Sequence, residues 1–206
     1  MFSTRMISWL VVAALSLGCA FAQAQATKSP ETLIKEVSTD VLESVKADKS
    51  IKDGDVSKVI ALVDAKVMPY INFQRMTSSA VGRYWKQATP EQKKRLQEEF
   101  KILLVRTYSG ALAQVQDQTV QIKPSRAGAD DKEVVVKTEV RGKGDSIQLD
   151  YRLEQLADGW KIYDVNVLGV WLVENYRNSF SQEIGANGID GLIAKLAERN
   201  AKASKS

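Results

Sequence analysis

The sequence predicts an α+β protein, a curved antiparallel sheet of three to four strands packed against helices on one face. Three observations carry that expectation. Apolar residues recur at helical spacing from Leu33 to Val115. At Gln118 the period changes to strict alternation, which persists to Val165. From Val170 the helical period returns. With 206 residues the chain fits one domain and can bury a core without disulfide or metal staples.

The elements follow in order. Ser29-Pro30 reads as an N-cap with proline at the first helical position, opening a helix with Leu33, Ile34, Val37, Val41, Leu42 and Val45 on one face. Ile51-Lys52-Asp53-Gly54 breaks it. Asp55 caps a second helix carrying Val56, Val59, Ile60, Val63 and Val67, and Pro69 ends it, because the residue before a proline avoids the helical region. Tyr70 to Trp85 predicts one or two short helices, with Thr77 as a cap. Thr89-Pro90-Glu91-Gln92 is a capping box with proline at N1. The helix it opens runs to about Val115 on a stripe of Leu96, Phe100, Leu103, Leu104, Tyr108, Ala111 and Leu112.

Val120 and Ile122 predict a short strand ended by Pro124. Val134, Val136, Thr138 and Val140 alternate with charged residues, and Gly142-Lys143-Gly144-Asp145 signals a hairpin. In the next strand Ile147, Leu149, Tyr151 and Leu153 face one way, and Gln148, Asp150, Arg152 and Glu154 the other. Asp158-Gly159 turns the chain into a last strand, Trp160 to Val165. A helix with Leu172, Val173, Tyr176 and Phe180 starts near Val170, breaks at Gly185 to Gly188, and resumes from Ile189 to Arg199.

The first two dozen residues stand apart. Arg5, an apolar run from Met6 to Leu17 and the small-x-small site Ala22-Gln23-Ala24 form the order of a secretory signal peptide. Ala24-Gln25-Ala26 is a second cleavage site, and the apolar run is shorter than the about 20 residues of a membrane span. The expected division is a cleaved leader over 1–24, one domain over 25–200 and a disordered tail over 201–206. Gly18-Cys19-Ala20 is the alternative of lipidation. Ser16, three residues before Cys19, stands where a large aliphatic is usual and argues against it.

Cleavage removes Cys19, the only cysteine, and the sequence has no histidine. A cysteine nucleophile, a Ser-His-Asp triad, a histidine base and a zinc site built on His or Cys are therefore excluded. No catalytic set, metal or cofactor is expected. The formal net charge of +4 does not argue for nucleic acid.

Smaller constellations have plain readings. Asp53-Gly54-Asp55 lacks the later ligands of a calcium loop and reads as a turn and helix cap. Asp164, among apolar strand residues and beside Tyr163, reads as a structural hydrogen-bond acceptor. An exported enzyme using Asp164 and Tyr163 is the alternative. Glu174 and Arg177 have the spacing of a surface ion pair, and Lys93-Lys94-Arg95 reads as a solvated basic face.

The stretch Gly159-Trp160-Lys161-Ile162-Tyr163-Asp164-Val165-Asn166-Val167-Leu168-Gly169-Val170, continuing through Trp171-Leu172-Val173-Glu174-Asn175-Tyr176, resembles the MlaC family, also called the toluene-tolerance auxiliary family. Met68-Pro69-Tyr70 with Gly82-Arg83-Tyr84-Trp85, Ala88-Thr89-Pro90-Glu91-Gln92 with Tyr108-Ser109-Gly110-Ala111-Leu112, and Gly188-Ile189-Asp190-Gly191-Leu192 agree in the same order. The resemblance implies a nuclear-transport-factor-like fold with an internal hydrophobic cavity for phospholipid cargo. It further implies a soluble periplasmic carrier, a monomer, that docks with an outer-membrane lipoprotein complex and an inner-membrane ABC transporter complex. Trp171 departs from the family pattern, which has a small residue there, and a bulky indole would narrow a cavity mouth or reshape a docking surface.

Wall material for such a cavity is present. From the helices it comprises Tyr70, Phe73, Met76, Val81, Phe100, Leu103, Leu104, Tyr108 and Leu112. From the sheet it comprises Val134, Val136, Ile147, Leu149, Tyr151, Ile162 and Val165. On the residues alone a filled core is the favoured reading, since protein interiors are close-packed. The resemblance turns the set toward a lipid-binding wall. A non-carrier adaptor between membrane complexes is a further alternative.

Overall fold

Helix α1 (Pro30–Ala47) begins where Ser29 Oγ accepts the Thr32 amide, with Pro30 inside the first turn. The structure, a computed structural model, describes residues 28–124, 128, 130–144 and 146–202. The expected leader, Cys19 and the last four residues of the expected tail lie outside them. Among the described residues no helix is long and apolar enough to cross a membrane.

A single-turn α2 (Lys49–Lys52) occupies the expected break, and Asp55 caps α3 (Val56–Lys66) by accepting the Ser57 and Lys58 amides. A 3-10 turn over Met68–Tyr70 leads to α4 (Phe73–Val81). The cap of α4 is Asn72, whose Oδ1 accepts the Arg75 amide, and not Thr77. Thr77 is fully buried within the helix and its hydroxyl bonds back to Phe73 O. A buried hydroxyl finds a partner locally, and the preceding carbonyl is the nearest one. Gly82, at φ 65°, ends α4. Helix α5 (Pro90–Ala113) opens on the reciprocal Thr89–Gln92 capping box.

The sheet is an antiparallel meander of five strands in sequence order: β1 (Thr119–Ile122), β2 (Glu133–Arg141), β3 (Ile147–Leu156), β4 (Gly159–Val167) and β5 (Val170–Trp171). The fifth strand exceeds the three to four expected. It occupies the place where helix was expected to start and is reached through a tight turn at Leu168-Gly169. Leu168 takes φ 52°, a left-handed conformation in which a leucine gives no sequence signal for a turn.

A bulge at Tyr163 sets the faces of β4. Arg152 pairs with Asp164 and Leu153 with Ile162, so Tyr163 is the extra residue. Ile162 and Val165 thereby share the apolar face with Leu153 and Tyr151, although two residues, and not one, lie between them. Asp164 falls on the opposite face with Arg152. Ile71 bridges Ile162 on the free edge of β4, secured by the Asn72 amide donating to Ile162 O at 2.8 Å.

Helix α6 (Leu172–Lys202) packs on α4, α5 and β4 and is broken at Gly188, with φ 72° and ψ 179°, inside the expected break. It continues through Ala201 and Lys202, into the segment expected as tail.

Buried apolar residues form three clusters. One joins α4, α5 and α6 around Met76, Phe100 and Phe180. A second joins Leu33 and Ile34 of α1 to Val134, Val136, Leu153 and Ile162 of the sheet. The third joins Val45, Ile51, Val59, Val105 and Val115 at the far end of α1 and α5.

Candidate functional site

A domain of this size usually has one contiguous core with small satellites. Here two of the three clusters are bridged only through half-buried apolar side chains. Ile71 and Val165 touch both the helical cluster and the sheet cluster. Met68 and Leu104 border the first, Tyr151 and Val37 the second, and Ile60, Val63 and Leu112 the third. The main close neighbours of α5 are α2, α3, α4 and α6, not the strands.

The apolar sheet face changes along its length. Val134 and Val136 are covered by Leu33 and Ile34. Farther along, Tyr151, Val165, Leu149 and Val167 are only half-buried, and Ile147 at the strand end is 38% exposed. Tyr151 retains accessible surface, yet burial pushes its phenol up, while the hydroxyls of Ser38 and Thr138 beside it act in the other direction. Burial likewise raises the Tyr108 phenol, with Tyr176 nearby adding to the effect. These two phenols are poorly solvated without being packed shut.

The residues expected to line a cavity fall into distinct groups. Phe73, Met76, Val81, Phe100 and Leu103 are buried in the helical cluster. There the Phe100 ring meets Tyr176 edge-on at 5.0 Å and Phe180 at 5.2 Å. Val134, Val136 and Ile162 are buried beneath α1. Leu104, Tyr108, Leu112, Leu149, Tyr151 and Val165 are half-buried, and Tyr70 is 38% exposed. Val37 and Ile71 also pack against the sheet cluster, Met68 borders the helical one, and Ile60 and Val63 border the third. The periodicity of α1 showed that its stripe is apolar, but not that it meets the sheet face.

The opposite face of the sheet is polar and partly closed. Asp150, on the face opposite the apolar residues as expected, is only 6% exposed and accepts from Gln148 Nε2 at 3.0 Å. Asp164 is 1% exposed. Its carboxylate accepts from Arg152 Nη1 (3.0 Å), the Val165 amide (2.9 Å) and the Val173 amide (3.1 Å), the last in the first turn of α6. Burial outweighs these bonds and raises its pKa. Tyr163 instead donates to Glu133 Oε2 and lies under the Arg75 guanidinium, 3.6 Å from the ring centroid. Asp164 and Tyr163 therefore serve separate networks.

Trp171 pairs with Asn166 on β4, and its ring stacks on the Arg152 guanidinium at 3.9 Å. That contact places the indole on the polar face, away from the apolar seam. The expected Glu174–Arg177 ion pair does not form. Arg177 Nε donates to Ser79 O at 3.0 Å and ties α6 to α4. In the basic run, Lys94 and Arg95 pair with Glu98 and Glu99 one turn on, while Lys93 lies over the Trp85 ring. Among the described residues no group of acidic side chains is arranged to hold a metal.

An open antiparallel meander with helices over its apolar face, and a seam of half-buried apolar side chains between them, is an architecture suited to binding through apolar contact rather than through a reactive constellation. The MlaC protein family model matches residues 35–198, and the chain belongs to that family. Toluene tolerance protein ttg2D of Pseudomonas putida is 28% identical over 88% of this chain and 87% of its own length. The intermembrane phospholipid transport system binding protein MlaC of Haemophilus influenzae is 24% identical over 84% of this chain and 83% of its own. The solved structure of a phospholipid-binding protein from Ralstonia solanacearum, in complex with a phospholipid, superposes with a TM-score of 0.83. It is 46% identical and covers 86% of this chain and 99% of that one.

Proposed function

We propose that this protein is the phospholipid-binding carrier of an intermembrane lipid transport system. It is exported by cleavage of residues 1–24, works in the periplasm as a monomer, and holds its cargo in the single domain over 25–200. The observation that carries this reading is the 46% identity and TM-score of 0.83 to a protein solved with a phospholipid bound. The cargo site is the seam between the apolar sheet face (Leu149, Tyr151, Val165) and the half-buried side chains of α1, α3 and α5 (Val37, Ile60, Leu104, Tyr108).

The physics of the task fits an apolar seam. Burying acyl carbon stabilises by about 0.8 kcal/mol per methylene, so two chains hold on the order of 20 kcal/mol in any apolar environment. A carrier need only match the membrane closely enough for exchange to stay reversible. The head group remains in water at the mouth, so no dedicated polar set is needed. Docking with an outer-membrane lipoprotein complex and an inner-membrane ABC transporter complex should be transient, through modest interfaces.

Native mass spectrometry of the purified mature protein, followed by lipid extraction, tests the reading. One phospholipid per chain is expected, on a polypeptide that begins after Ala24 or Ala26. A lipid-free protein held permanently in one membrane complex would instead identify an adaptor.

A further inference from the structure

Arg106 on α5 and Arg199 on α6 line the same cavity from different helices, with Leu103, Thr107 and Asn200 completing its wall. Its volume is about 240 Å³. A water occupies about 30 Å³ in the liquid, so there is room for a small solvated ion. This cavity is separate from the proposed cargo seam.

Its electrostatics are unbalanced. Among the described residues neither Arg106 nor Arg199 has a carboxylate within ion-pair distance, while neighbouring Arg95, Lys101, Lys195 and Lys202 all do. Glu99, which reaches this region from α5, is already engaged by Arg95 at 3.1 Å and by Asn200 Nδ2 at 2.9 Å. Two buried polar atoms in the wall have no hydrogen-bond partner among the described residues: Arg106 Nε and Asn200 Oδ1. Asn200 is 6% exposed. Its Nδ2 donates to both Glu99 O and Glu99 Oε2, which fixes the direction of the amide and leaves Oδ1 as the unpaired end. A partly buried guanidinium without an acceptor is costly, as is a buried carbonyl without a donor.

The missing partners define a ligand. Two guanidinium forks call for an oxyanion able to accept from both. The amide oxygen calls for a donor. Hydrogen phosphate offers charged acceptor oxygens and keeps a P–OH donor in one group, and a phosphate monoester offers the same set in its singly ionised form. Sulfate lacks the donor at neutral pH. We propose that the Arg106–Arg199 cavity is a binding site for a phosphate monoester group, presented either as free phosphate or as the head of a phosphatidic-acid-type lipid.

The experiment uses the mature protein and its R199Q variant, since Arg199 is exposed and its replacement leaves packing intact. Binding of inorganic phosphate is measured by calorimetry at constant ionic strength, with sulfate in parallel. Flotation with vesicles of phosphatidylcholine, with and without phosphatidic acid, forms the second arm. The proposal expects saturable phosphate binding, weaker sulfate binding, and an about tenfold loss in R199Q, the size of one charge-assisted contact. Vesicle binding that needs both phosphatidic acid and Arg199, without an effect of free phosphate, assigns the site to the lipid head. No binding in either arm, equal binding of sulfate, or an unchanged R199Q overturns the proposal. Lipid extracted from R199Q should remain at the wild-type level, because Arg199 lies outside the seam, so this proposal can fail without the carrier reading failing.

Discussion

Leu149 sits midway along β3, opposite Thr138 and Val167, with its carbonyl accepting the Thr138 hydroxyl at 2.7 Å. Its side chain is half-buried on the apolar face. In a filled core, Leu149→Glu would bury an unpaired carboxylate and unfold the protein. In the proposed cavity the carboxylate is hydrated once cargo has left. L149E is therefore expected to fold with a Tm loss of no more than about 4 °C, the effect of about 1 kcal/mol in a chain of this length. Extractable lipid is expected to fall to background. Thermal unfolding and lipid content measured on the same samples check both halves, and a folded, fully loaded variant would put the cargo elsewhere. At this scale the sequence was partly legible. The alternation in β3 identified its apolar face. The partners of Asp164 were not readable, because Arg152 meets it only through the register of a bulged strand pair, and Val173 only through the entry angle of α6.

Helix α6 turns on Gly188, whose φ of 72° and ψ of 179° belong to a region essentially closed to side-chain-bearing residues. A Cβ there would meet nothing within 4 Å, so the obstacle to substitution is backbone strain rather than crowding. Gly188→Ala is expected to cost about 1–3 kcal/mol, measured by urea unfolding. A neutral result would mean that the kink relaxes into a continuous helix. This break was legible from its glycines, as was α5 from Thr89-Pro90-Glu91-Gln92, because caps are local chemistry. The β4–β5 turn was not. It places Leu168, 66% exposed, where Asn or Gly is usual, and tertiary pairing overrides the local preference.

Over the whole molecule, surface carboxylates couple stability to pH. Glu139 is held down to about 2, first by its hydrogen bond from Arg141 and then by Ser146. Glu133 is lowered chiefly by Arg75, Asp158 by Lys161 and Glu183 by Lys195. A carboxyl with a depressed folded pKa gives stability that is present above its unfolded value and is lost as pH falls toward the folded one. For Glu139 that window runs from 4.5 to about 2. Asp164 has the opposite sign, because burial raises it, and its contribution is lost as pH rises through its folded value. The Tm is expected to fall from pH 4.5 to 2, and less steeply in Glu139→Gln. Equal slopes would show that Arg141 makes no net contribution through this pair. The α+β class was legible at this scale because a change of period is visible along one chain. The proposed seam was not, since it depends on how three clusters from distant segments stop short of merging.

That incomplete merging has a volumetric consequence. Unfolding under hydrostatic pressure is favoured by the internal void it eliminates. In the proposed carrier, removal of lipid leaves the space between the clusters as void or weakly held water, whereas the loaded form fills it with acyl chain. High-pressure fluorescence of the tryptophans should therefore show the delipidated protein unfolding at lower pressure, with a more negative volume change, than the same protein with its cargo in place.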